Sequence, residues 1–190
     1  MGNAMGLTLL LTLVAAQDDF VPLKSGSRWT YTFHAQGEQK EFVQSITGTE
    51  RVNGIECFVL ESEVAGQREK MWLRQTAEGV WLHRAQSRDV ASDLQKPALI
   101  LKYPLQADSS GWSARIPAGT VSVEYHFVNE GESEVQVHGR KYRAWKIRAR
   151  GRMERLEFEV TYWYVKGVGL VKQVMSGPHG ETRCELKEFK

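Results

Sequence analysis

Three landmarks occur twice along this chain, in the same order and 82 to 91 positions apart, and they narrow the possible folds more than any other feature. The first is a polar, glycine-containing turn that opens with Pro-Leu and ends on tryptophan, at Pro22–Trp29 and again at Pro104–Trp112. The second is a tight turn between apolar runs, Val52-Asn53-Gly54-Ile55 and Val137-His138-Gly139-Arg140. Asn-Gly is a strong hairpin signal, because a type I′ turn needs positive φ at both central residues. The third is Met71-Trp72-Leu73 followed by Gly79-Val80-Trp81-Leu82, matched by Tyr162-Trp163-Tyr164 followed by Gly169-Leu170-Val171. Ordered recurrence of this kind points to an internal duplication of one strand module.

The modules read as β-strands. Val121, Val123, Tyr125 and Phe127 alternate with Ser122, Glu124 and His126, which gives one dry and one wet face. A turn is expected near Asn129–Glu132, after which Val135 and Val137 resume the pattern. A turn at Arg152–Arg155 pairs Ala149 with Phe158, Ile147 with Val160 and Trp145 with Tyr162, and sets Arg150 opposite Glu157 and Arg148 opposite Glu159. Apolar pairs on one face and opposite charges on the other favour that register. Tyr142 and Ala144 face inward after the preceding turn, yet so do Trp145 and Ile147, and this change of parity predicts a β-bulge near Ala144–Trp145. A short helix is expected over Ser87–Gln95, from a capping residue, Val90 and Leu94 at i,i+4, and a stop at Pro97. The expected fold class is therefore all-β: an antiparallel meander of about a dozen strands from two modules, curved sheet or barrel, with one linker helix.

The N-terminus carries an apolar run, Leu7–Ala16, followed at once by Gln17-Asp18-Asp19. Small residues at Val14 and Ala16 fit a secretory signal cleaved before Gln17, although no Lys or Arg precedes the run; the alternative is a buried N-terminal strand or helix. A transmembrane helix needs about 20 apolar residues, so no membrane span is expected. No Cys follows the run, which argues against a lipid anchor, and Gly6 occupies the place where myristoylation wants Ser or Thr. The expected organisation is a signal peptide over 1–16 and one all-β domain over 17–190, with module one at about 20–86, a linker at about 87–103 and module two at about 104–190. The chain is thus expected in the periplasm or secreted. Its two cysteines, Cys57 and Cys184, allow either a disulfide, which closing so long a loop would make worth about 4–5 kcal/mol, or two small buried apolar residues that never meet.

Catalytic signatures are missing: there is no Gly-x-Ser-x-Gly elbow, His-Glu-x-x-His, P-loop or Cys-x-x-Cys. Gly167-Val168-Gly169 lacks a third glycine and reads as a hairpin turn. Glu124, His126 and His138 would converge in the register above, but on a flat wet face without a fourth ligand, so no metal and no cofactor is expected. The run Arg140–Arg155 holds eight Lys or Arg and one acid; with a net charge of only +2 it reads as a charge ladder on an outer sheet face, and nucleic acid is not an expected partner. Trp72 and Trp163 point away from the face that their neighbours bury. Either the chain's own segments cover them or they offer a ligand-binding surface.

Val21-Pro22-Leu23-Lys24-Ser25-Gly26-Ser27-Arg28-Trp29-Thr30-Tyr31 resembles the PLxxGxxWxY opening of uncharacterised exported bacterial all-β proteins, including those labelled TapB-like. Trp163–Lys172 is similar to their closing WY-x-x-G-x-GLVK segment. The resemblance covers the two ends of the mature chain, implies an envelope or secreted all-β protein, and transfers no catalytic residue. The functional expectation is a non-enzymatic envelope protein that binds a lipid, another apolar small molecule or an envelope protein on a curved sheet. A purely structural secreted interaction module and an enzyme of unrecognised type are the alternatives.

Overall fold

The computed structural model describes residues 19–64, 67–87, 90–118, 121–178 and 180–190. The expected signal peptide over 1–16 lies outside the described residues, as does His179. The strands are β1 (Arg28–Ala35), β2 (Glu38–Val52), β3 (Ile55–Val64), β4 (Gln67–Thr76), β5 (Gly79–Ser87), β6 (Val90–Lys102), β7 (Asp108–Ala118), β8 (Val121–Val137), β9 (Arg140–Met153), β10 (Leu156–Val165), β11 (Gly169–Gly177) and β12 (Gly180–Phe189). They form one antiparallel sheet in the order β6-β5-β4-β3-β2-β1-β12-β11-β10-β9-β8-β7. Two six-strand meanders are therefore joined through the β1–β12 ladder, and the sheet curls into a nearly closed barrel that stays open between β6 and β7.

The landmarks fall at corresponding places in the two meanders. Trp29 is on β1 and Trp112 on β7, each the first strand of its half. Asn53 and Gly54 (φ 51 and 80) make the β2–β3 turn, and His138 and Gly139 (φ 45 and 78) the β8–β9 turn. Trp72 on β4 and Trp163 on β10 each sit beside a break in register with the next strand. A second break falls between Ile46 and Gly48 on β2 and between Asn129 and Gly131 on β8.

Several local expectations are corrected. No helix occurs among the described residues, and 90–102, inside the expected linker, is strand β6. Positions i and i+4 share a face in a strand as well as in a helix, so Val90 and Leu94 could not separate the two. Pro97 produces an irregular stretch instead: Leu82 pairs with Ala98 but Arg84 with Asp93, which leaves Leu94–Pro97 outside the ladder. The β9–β10 turn is the two-residue Glu154–Arg155, so Ala149 pairs with Val160, Ile147 with Tyr162 and Arg150 with Glu159. The register is slid by two, which keeps every side chain on its expected face. No turn interrupts Val121–Val137; Glu130 is an extra residue in β8, a bulge opposite Lys146–Ile147. The ladder through Ala144–Trp145 is regular, so the irregularity lies on the partner strand and not in β9.

Alternation sends one set of side chains inward. Leu73, Val80, Leu82, Leu101, Phe127, Ile147 and Ala149 form the main buried core. Trp29, Tyr31, Ile46, Val171 and Leu186 form a second cluster under the β1–β12 joint. The segment ahead of β1 packs Phe20, Val21 and Leu23 against these clusters and closes one end of the barrel. That plug is held by the Gly167 N–H donated to the Asp19 carbonyl at 2.6 Å.

Candidate functional site

A cavity of about 310 Å³ lies inside the barrel, between the core of the first meander and that of the second. Even spacing along each strand supplies its walls: Met71 and Leu73 from β4, Ile147 from β9, Tyr162 and Tyr164 from β10. Trp29 and Tyr31 form its floor, where the Trp29 indole N–H is donated to the Val168 carbonyl at 2.6 Å and the Tyr31 hydroxyl to the Leu170 carbonyl at 3.0 Å. The Val21–Tyr31 and Trp163–Lys172 segments thus bind each other at this floor. Aromatic rings order the far wall: Trp112 stacks on Phe127 at 5.1 Å, and Tyr125 on Phe127 at 5.4 Å.

Electrostatically the cavity is neutral. Among the described residues its lining has no Lys, Arg, His, Asp or Glu; its polar side chains there are Gln44, Gln173, the Trp29 indole and the tyrosines. Burial pushes the Tyr31, Tyr162 and Tyr164 phenols well above the ordinary tyrosine value, so they stay protonated. Burial, then the nearby Glu185 carboxylate, pushes the Cys184 thiol up to about 12, which leaves it without nucleophilic thiolate. Such walls offer an entering molecule apolar contacts and a few uncharged hydrogen-bonding groups.

At the end opposite the plug, a groove of about 610 Å³ follows the open seam, between Ser87, Val90 and Ser92 on one side and Ile116, Pro117 and Ala118 on the other. Met71, Leu82, Ile116 and Tyr125 line both the groove and the cavity, so the two are continuous. Both seam strands carry a proline, Pro97 in β6 and Pro117 in β7, where the lacking N–H suits an edge.

Trp72 and Trp163 lie on the outer face, as their neighbours' inward direction requires, and both pack against the chain's own segments. Trp72 is 4% exposed, packs with Val52, Cys57 and Val59, donates its indole N–H to Glu50 at 2.8 Å, and has the Arg84 guanidinium 5.2 Å above its ring. Trp163 is half-buried against the cluster of Val135, Val137, Ala144 and Val171, with Lys172 at 6.0 Å. Cover comes from hairpins of the same half: β8 bends far enough to approach β12. Cys57 and Cys184 are free thiols in separate clusters, one with Trp72 and one with Tyr31, so the structure holds no disulfide between them.

Among the described residues no group of three or more potential ligands could hold a metal ion. Glu124 faces Arg152, His126 faces Arg150, and His138 sits at the far turn, because β8 continues where a turn was expected. The basic run on β9 is neutralised by β8: Glu130 holds Lys146 at 2.8 Å and Arg148 at 2.6 Å, and Glu124 holds Arg152 at 2.7 Å. Gln44 and Gln173 escaped the sequence reading. Their signal was an uncharged polar residue at an inward position of an apolar alternation.

No protein-family model matches the chain, and no curated protein matches it. Among solved structures it is similar to a protein from Bacteroides fragilis NCTC 9343 that is inferred to be exported and has a YmcC-like fold, with TM-score 0.59 and 11% identity over 88% of this chain and 96% of that one. A protein from Parabacteroides distasonis ATCC 8503, inferred to be a lipoprotein, gives TM-score 0.49 and 11% identity over 90% of this chain and 98% of that one. At 11% identity the likeness to the first is one of architecture, and on that ground the chain has the YmcC-like fold.

Proposed function

We propose that this chain is an exported protein whose barrel takes up a small apolar molecule. The observation that carries the reading is an apolar cavity of about 310 Å³, within the lower range of ligand pockets, that reaches the surface along an open seam. Its walls bury aromatic and aliphatic groups without a catalytic pair, which favours a carrier or sensor over an enzyme. Export is supported by the apolar run Leu7–Ala16 with its polar sequel, and by the exported nature inferred for the Bacteroides protein of the same fold. Two copies of one module account for the matched turns and paired register breaks of the two halves.

The test is native mass spectrometry of protein purified from the exported fraction without detergent, followed by titration with the apolar fluorophore N-phenyl-naphthylamine. The expected result is a mature chain beginning at Gln17 and a fluorescence rise that the variant Ile116→Trp abolishes while its circular dichroism stays unchanged. Ile116 lines both groove and cavity and is only half-buried, so a larger ring there blocks the passage without overfilling the core. A wild-type protein that carries no small molecule and leaves the fluorophore dark would overturn the reading.

A further inference from the structure

Resting on that reading, we infer that the molecule the barrel accepts is an uncharged amphiphile, an alcohol, ester or amide on one alkyl chain, and not a fatty-acid anion. The argument starts from what a carboxylate would meet. Moving an ionised carboxylate into an apolar site without a cation or a set of donors costs several kcal/mol or more. Among the described residues no cation lines the cavity, and its tyrosine hydroxyls are few and set among rings. The tail of a fatty acid could enter with its head left at the groove, but among the described residues the groove offers that head no unpaired cation. Lys70, the one cation lining it among the described residues, is already held by Glu61 at 2.7 Å, and Glu69 adds a carboxylate beside it.

An uncharged head meets suitable partners instead. Gln44 and Gln173 each bring an amide that can donate and accept, and they sit where the alternation of β2 and β11 would otherwise place apolar side chains. A hydroxyl, ester or amide can be satisfied by such groups at small desolvation cost, while the alkyl chain follows Leu73, Leu82 and Ile147. The cavity is thus selective by what it lacks, a fixed positive charge, as much as by what it contains.

Isothermal titration of the mature protein with decanol, methyl decanoate and decanoate at neutral pH tests this, since the three share one chain and differ in head charge. Decanol or methyl decanoate should bind at least about tenfold more tightly than decanoate. Decanoate binding as tightly as the uncharged pair would overturn the inference while leaving the cavity reading intact. Failure of all three would overturn the cavity reading, and the inference with it.

Discussion

An indole on the outer face of a sheet is stable only when something covers its ring and accepts its N–H. Trp72 has both, with Val52, Cys57 and Val59 against the ring and Glu50 on the nitrogen. The ring is therefore held by the fold, and Trp72→Ala should cost about 3–5 kcal/mol, as truncation of a buried tryptophan does. Trp163, half-buried, should cost less on the same change. Urea unfolding measures both, and the N-phenyl-naphthylamine affinity of the folded variants should stay at the wild-type value. A Trp163→Ala protein that is fully stable but no longer binds the fluorophore would return this residue to the ligand. The direction of both rings was legible in the sequence, since their neighbours Met71, Leu73, Tyr162 and Tyr164 had to point inward. Their cover was less so, because Val52 and Cys57 for one ring and Val135, Val137 and Ala144 for the other lie 15 to 28 positions away in sequence.

At the scale of elements, the all-β class and several strands and turns could be read from alternation and turn chemistry, but β6, which reads as a helix over Ser87–Gln95, and pairing inside the long hairpins could not. The β9–β10 register slid by two at no loss of pattern, because basic residues alternate with apolar ones on β9 and glutamates do so on β10, and a shift of two preserves every face. The β8–β9 hairpin was misread more deeply: Asn129–Glu132 looks like a turn yet carries the strand on through a bulge. Asn129 makes this possible by accepting the Gly131 N–H on its side-chain oxygen at 3.1 Å, in a buried position. Gly131 itself has φ of 93°, where a side chain is strained, although a Cβ there would meet only Ala107 at an ordinary 3.6 Å. Gly131→Ala should accordingly destabilise by about 1–3 kcal/mol for conformational reasons alone, and Gly131→Asn by less, because Asn tolerates positive φ better. Chemical denaturation of the two variants checks the order. Equal loss for both would mean that packing, not backbone strain, sets the cost at this bulge.

For the whole molecule, the two joints between the halves lie at opposite places in the sheet order, one at its centre and one between its two ends, and they differ in kind. The β1–β12 joint is a backbone ladder from Trp29 and Phe189 to Ala35 and Thr182, with one register shift between Thr30 and Tyr31. At the β6–β7 joint side chains take over: the Trp112 indole N–H is donated to the Leu99 carbonyl at 3.0 Å, and Lys102 reaches Asp108 at 3.5 Å. Both links lie near the plugged end, so the seam is tied at one end and parts at the other, where the groove opens. Such a joint should be the first part of the barrel to open, since a few side-chain bonds replace a continuous ladder. Trp112→Phe isolates this effect, because phenylalanine can keep the stack on Phe127 and lose only the donor. It should cost about 1 kcal/mol in global stability, the ordinary worth of one hydrogen bond. The diagnostic reading is hydrogen exchange: amides of β6 from Leu99 to Lys102 should exchange faster in the variant, with those of β1 and β12 unchanged. If β1 and β12 loosen equally, the two joints open together, and the seam is a cut in the drawing of the sheet without being a weak line in the molecule. If only β6 and β7 loosen and fluorophore uptake quickens with them, then the entry path, the missing ladder and the prolines on both edges are one device.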